Sequence, residues 1–187
     1  MLKKIISGGQ TGCDQAALDV AIKRAIEHGG WCPKGRISEY GIIPEKYNLL
    51  ETESHEVEQR TRRNIEESDG TLVFVPQLPL EIKDGTRLTI EYAQSLLKPL
   101  LIINLSNCDK ANEEFDSWLR KHNISIVNVG GPRQSSAEEI YDKTYNKFGE
   151  MLDFAIERGN VAKPRENNIE PAGYLLAQNT SHFKSKI

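Results

Sequence analysis

Short runs of β-branched and apolar residues alternate along this chain with longer stretches in which apolar positions recur every three or four residues. Such alternation marks an α/β protein whose open, parallel sheet is built from crossover units. Lys3-Lys4-Ile5-Ile6-Ser7 reads as a first strand, and Ala16, Ala17, Leu18, Val20, Ala21, Ile22 and Ala25 predict a helix over 14–27. Gly29-Gly30 stops that helix, and Trp31-Cys32 begins a short strand. Helical spacing resumes over 55–68, with Thr52 or Ser54 placed to cap it. Residues 71–75 are uniformly apolar, as in a strand covered on both faces. A loop over 76–84 leads to a helix over 89–97, closed by Lys98-Pro99. Strands follow at 100–104 and 124–129, with a helix over 112–122 between them. A long last helix over 136–158 opens on the capping chemistry of Ser135, Ser136, Glu138 and Glu139.

The pattern breaks after residue 158, where Gly159, Pro164, Asn167, Asn168, Pro171 and Gly173 oppose regular structure. Two regions are therefore expected, a folded domain over 1–158 and an irregular tail over 159–187. Tyr174-Leu175-Leu176-Ala177 within the tail is apolar enough to dock, which makes the tail either a solvated end or an arm against a second subunit of a homo-oligomer.

Composition narrows the class. The 187 residues carry Lys+Arg 24 against Asp+Glu 27, a net charge of −3, and 38% are hydrophobic. A near-neutral chain lacks the net basic character of a general nucleic-acid or membrane-surface binder. Its apolar runs fall far short of the ~18 residues needed to cross a bilayer, and Met1-Leu2-Lys3-Lys4 runs directly into a strand rather than a leader. Cys13, Cys32 and Cys108 are too scattered for a C-x-x-C pair and read as reduced thiols, so the expected location is cytoplasmic.

In an open parallel sheet, ligands bind beyond the carboxyl ends of the strands. The glycine-rich and polar segments fall there: Gly8 to Asp14 after the first strand, 76–89 after the Phe74 strand, Asn104 to Cys108, and Gly130 to Ser135. Gly9-Gln10-Thr11-Gly12 lets the backbone approach a ligand closely at a helix N-terminus, where N–H groups favour an anion, and Asp14 follows as an N-terminal carboxylate. Its spacing is neither a dinucleotide fingerprint nor a P-loop. Gly85, Thr86 and Thr89 repeat glycine and hydroxyl chemistry with Arg87 nearby, and Gly131-Pro132-Arg133 presents a guanidinium on a rigid turn. The long connection over 33–54 carries Lys34, Gly35 and Arg36 and reads either as a solvated excursion or as a basic flap. Arg60 and Asn64, four residues apart, share one helix face. No metal-ligand spacing links His28, His55, His122, His182 and the cysteines, and no nucleophile elbow is present. Carboxylates for acid/base work would be Glu91, Asp14 or Asp69.

Six segments together carry a resemblance: Gly8-Gly9-Gln10-Thr11-Gly12-x-Asp14, Gly30-Trp31-Cys32-Pro33-Lys34-Gly35-Arg36, Arg60-Thr61-x-x-Asn64, Ser68-Asp69-Gly70-Thr71, Gly85-Thr86-x-x-Thr89 and Asn128-Val129-Gly130-Gly131-Pro132-Arg133. Over about residues 3–155 the chain resembles the putative molybdenum carrier family, the circularly permuted YpsA-type branch of the SLOG superfamily, related to lysine-decarboxylase-like proteins. The resemblance implies a Rossmann-like three-layer α/β/α sandwich with a mainly parallel sheet. It implies a phosphorylated small-molecule ligand, either molybdenum cofactor (molybdopterin) or a nucleotide, carried rather than converted. Gly9, Gln10, Thr11 and Gly12 would form one phosphate-binding loop, Gly85, Thr86 and Thr89 a second, and Lys34, Arg36, Arg60, Asn64 and Arg133 would line the pocket. The chain departs from the pattern at Asp84, where a glycine commonly stands, and in the displaced Glu91. A nucleotide-processing enzyme of phosphoribohydrolase type and a nucleotide sensor are the alternatives.

Overall fold

The computed structural model describes residues 1–79 and 85–162. Asp84 and the apolar Tyr174 to Ala177 stretch lie outside the described residues. In chain order the elements are β1 (Lys4–Ile6), α1 (Cys13–Lys23), β2 (Glu27–Gly29), β3 (Trp31–Cys32), β4 (Ile37–Ser38), β5 (Gly41–Ile42), β6 (Leu50–Glu51), α2 (Val57–Glu66), β7 (Gly70–Val75), α3 (Gly85–Ser95), β8 (Leu100–Asn104), α4 (Ala111–Lys121), β9 (Ile126–Gly130) and α5 (Ile140–Glu157).

Five strands form the central sheet in the order β2-β1-β9-β7-β8, and every pairing in it is parallel. All six residues of β7 are buried, as the unbroken apolar run requires of a strand covered on both sides. Helices α1 and α4 pack on α5 over one face, and α2 packs on α3. The main core joins Ala17 and Val20 of α1, Phe115 and Leu119 of α4, and Phe148 and Leu152 of α5 to Leu72, Phe74 and Val127 of the sheet. The fold is therefore the Rossmann-like α/β sandwich expected. After β1 the chain runs outward to β2; after β7 it runs to β8 on the other flank before returning to β9 in the middle. This reversal of direction opens a crevice above the carboxyl ends of β1, β9 and β7.

Several element boundaries differ from the sequence reading, each for a local reason. Helix α1 stops at Lys23 because Ala25 turns left-handed, at φ 50°, which lets Ile26 bury while Glu27 to Gly29 pair alongside β1. Helix α2 starts at Val57 rather than 55, and neither Thr52 nor Ser54 is its N-cap; Ser54 Oγ instead accepts from the Glu56 N–H at 3.1 Å. Helix α3 begins at Gly85, four residues early. Helix α5 begins only at Ile140, because Gln134–Ser136 form a separate 3-10 turn and Glu139 is left-handed.

The long connection after β3 is folded rather than a bare excursion. Strand β3 pairs in parallel with β6, β4 and β5 form a hairpin, and Cys32, Ile43, Tyr47 and Leu49 make a second small core with Leu18 of α1. Asp19 of α1 ties this layer down by accepting from Tyr47 Oη at 3.0 Å, Tyr141 Oη at 2.7 Å and Lys46 Nζ at 2.6 Å. The described chain continues past α5 to Ala162 and packs against its own beginning. Asn160 Nδ2 donates to the buried Asp116 carboxylate, and Val161 is buried where it bridges Leu2.

Candidate ligand-binding site

The crevice at the switch point holds a cavity of about 270 Å³. It is lined by Val129 to Gly131 at the end of β9, by Val57, Thr61 and Asn64 of α2, and by Gly85, Leu88 and Thr89 of α3. Gln10, Asp14, Glu58, Arg60, Asn128 and Arg133 add further polar and charged groups, two of them carboxylates. Gly131 is obligatory here, since a Cβ would stand 2.5 Å from the Phe74 carbonyl and 2.5 Å from Cys13 Sγ.

At the floor, Arg60 reaches from α2 to the start of α1, and its Nη1 donates to Asp14 Oδ2 at 3.0 Å. The guanidinium passes so close to the first loop that a Cβ on Gly8 would lie 1.8 Å from Nη1. Asp14 is buried, which pushes its carboxyl above the ordinary carboxylate value; the Arg60 charge and the Gln10 N–H pull the other way without cancelling the effect. Arg60 Nε is also buried, and among the described residues it has no hydrogen-bond partner. A buried cationic N–H left unpaired is costly, and an acceptor supplied by a ligand would remove that cost.

The first glycine loop differs from the anion cradle expected of it. Gly9 and Gly12 do adopt positive φ, at 74° and 75°. However, the Gln10 N–H donates to Asp14 Oδ2 at 3.2 Å, the Thr11 N–H to Gln10 Oε1 at 3.0 Å, and the Cys13 N–H to the Pro132 carbonyl at 3.2 Å. The chain's own carboxylate and amide thus take up amides that a phosphate would need.

Of the residues singled out from sequence, Gln10, Asp14, Arg60, Asn64, Gly85, Thr89, Gly131 and Arg133 come together around the cavity, while Gly9, Thr11, Gly12, Lys34, Gly35, Arg36 and Thr86 are not among its lining. Asn64 serves structure as well, bonding Trp31 through its N–H and carbonyl at 2.8 and 2.9 Å. Arg36 is committed elsewhere: its guanidinium donates to the carbonyls of Ile43, Pro44, Tyr47 and Leu49 at 3.0–3.3 Å, clamping the base of the small layer. Lys34 is exposed, and the neighbouring Gly35 N–H donates to Glu51 at 2.5 Å. Thr89 Oγ1 returns to the Gly85 carbonyl at 2.9 Å, since both lie in the first turn of α3 instead of a preceding loop.

Among the candidate acid/base carboxylates only Asp14 borders the cavity. Glu91 is exposed and paired with Arg87 along α3, and Asp69 accepts the N–H groups of Ser125 and Ile126 at the start of β9. Asn128, which stands in one of the six segments but was assigned no place in the pocket, also lines the cavity, and its lone amide among the apolar residues of β9 was the signal for it. Among the described residues no cluster of His, Cys, Asp and Glu suited to holding a metal ion is present.

A doubly covered parallel sheet with a cation-bearing crevice at its switch point defines a Rossmann-like α/β fold with a candidate site. The profile described as Circularly permutated YpsA SLOG family matches residues 5–152, and the chain belongs to that family. A solved structure similar to it is that of a putative molybdenum carrier protein from Syntrophus aciditrophicus SB, with 41% identity over 83% of this chain and 95% of that one, at a TM-score of 0.76. A comparison with curated proteins gives no significant match.

Proposed function

We propose that the chain binds, without converting it, a small molecule that joins a flat ring to a phosphate, a phosphorylated pterin or a nucleotide, in the crevice above β9. The observation that carries this reading is the buried Arg60 Nε–H, without a partner among the described residues, on a side chain that lines the cavity together with Arg133 and with the apolar Val57 and Leu88, which offer a surface for a ring. Carriage of molybdenum cofactor is the specific form that the similar protein's description favours. In that form the cofactor is cargo. The cavity fits such cargo in its donors, because Arg60 and Arg133 suit the phosphate and the pterin dithiolene supplies the metal's sulfur ligands itself.

Identification of a co-purifying ligand by mass spectrometry, followed by titration of molybdopterin and a panel of nucleotides, tests the reading. Binding that weakens at least tenfold in Arg60→Ala supports it. Failure of every candidate at high micromolar concentration overturns it.

Asp14 favours a second reading, an enzyme acting on a nucleotide, because a buried carboxyl held above its usual value beside a cavity has the character of a general acid. Turnover of nucleoside monophosphates or ADP-ribose that Asp14→Asn abolishes would establish it in place of the first.

A further inference from the structure

Glu39 stands at the tip of the β4–β5 hairpin, between Ser38 and Gly41, and its carboxylate reaches across to two loops of the main domain. One oxygen accepts from the Thr11 hydroxyl and from the Ser135 N–H at 3.1 Å; the other accepts from the Ser135 hydroxyl, with Arg133 Nε 3.7 Å away. Its own N–H donates to Gln10 Oε1 at 3.0 Å. The side chain is only 11% exposed. Burial works to raise its carboxyl, yet the bonds from Ser135 and Thr11 outweigh it and hold Glu39 below its ordinary value.

We propose that Thr11, Ser135 and Arg133 form an oxyanion subsite at the mouth of the crevice, filled here by the chain's own Glu39 and yielded to the phosphate of an incoming ligand when the hairpin tip lifts. Two hydroxyls, a backbone N–H and a guanidinium converging on two oxygens suit a phosphate as well as a carboxylate. Exchange of one anion for the other keeps Arg133 compensated, so neither state strands a charge. Because Gln10 and Arg133 border both this nest and the cavity, one ligand can span the two.

The hairpin is built to let go. Ile37, Tyr40 and Ile42 are 50%, 70% and 69% exposed, so little apolar burial holds the tip. Its base is fixed by the Arg36 clamp and by the fully buried Ile43. An element with few buried contacts and polar anchors at one end opens at low cost.

The inference rests on the crevice being the ligand's site, and the two fail separately in one set of measurements. Inorganic phosphate is titrated into the wild-type chain, Glu39→Ala, Glu39→Gln and the double variant Glu39→Ala/Ser135→Ala, with the amide signals of Thr11 and Ser135 followed by NMR. The expected result is phosphate binding at least about tenfold tighter in Glu39→Ala than in wild type, a gain equivalent to ~1.4 kcal/mol. Glu39→Gln should be intermediate, and the gain should vanish in the double variant. In the wild type, phosphate should speed hydrogen exchange at the Glu39 amide. Equal affinity in wild type and both single variants overturns the proposal, as does a gain that survives the loss of Ser135. Glu39→Gln keeps an oxygen acceptor for Thr11 and Ser135 and decides the matter if Glu39→Ala does not fold. A gain in Glu39→Ala beside nucleotide binding indifferent to Arg60→Ala would keep the subsite and remove the crevice reading.

Discussion

Arg60 carries more of the site than any other side chain, because it lines the cavity, pairs with Asp14 through one nitrogen and leaves another buried without a partner among the described residues. Both members of the pair are largely out of water, with side chains 14% and 5% exposed. Removing one partner of such a pair costs about 3 kcal/mol or somewhat more. Arg60→Ala should therefore lower stability by about that amount at pH 7, measured by urea unfolding. The loss should depend on pH with a definite sign. Asp14 is already raised above its unfolded value by burial, and without Arg60 it rises further. A raised carboxyl favours the protonated folded state, so that stability is kept at low pH and lost as pH climbs through the interval between the two values. The difference between Arg60→Ala and wild type should shrink as pH falls; a constant difference would show that the guanidinium acts by packing alone.

At the scale of elements, α5 is pinned to the sheet by Phe148, whose ring meets Phe74 at 5.7 Å and Phe115 at 6.0 Å, both edge to face. Phe148→Ala should cost about 3–5 kcal/mol, read as a shift of the unfolding midpoint, because α1 and α4 lean on the same helix. The strands and helices that bury a full apolar face were legible from the sequence, β7 most plainly, whereas the equally apolar β8 is an edge strand with only Ile103 buried. Strand β2 was not legible, because Glu27-His28-Gly29 has no β-branched residue and earns its place as an edge strand only by pairing with β1. The start of α5 was missed because Ser135 and Ser136 carry capping chemistry but turn toward Glu39 and the 3-10 turn. The candidate site was legible where a residue type has one use at a strand end, as with Gly131 and Arg133. It was illegible where a charge had two prospective partners. Nothing in the order of residues says that Arg36 answers to four carbonyls of its own segment while Arg60, on a charged helix, turns inward.

For the molecule as a whole, the contacts made just after α5 join the end of that helix to the start of β1. Leu2 donates its N–H to the Asn160 carbonyl at 2.8 Å, the Ala162 N–H donates to the Leu2 carbonyl at 2.8 Å, and Val161 is 1% exposed. A chain ended after Arg158 should thus unfold at a temperature several degrees below one ended after Ala162, since about 1–3 kcal/mol of side-chain burial and hydrogen bonding is lost. Equal midpoints would show that β1 needs no such support. The junction of Leu2 with Val161 lies at the amino end of β1, and the crevice lies beyond the carboxyl ends of the strands. A tether attached beside Leu2 would hold the molecule by the edge remote from its cavity. Anchored so to a sensor surface, the chain presents its hairpin and the mouth behind it to the solution.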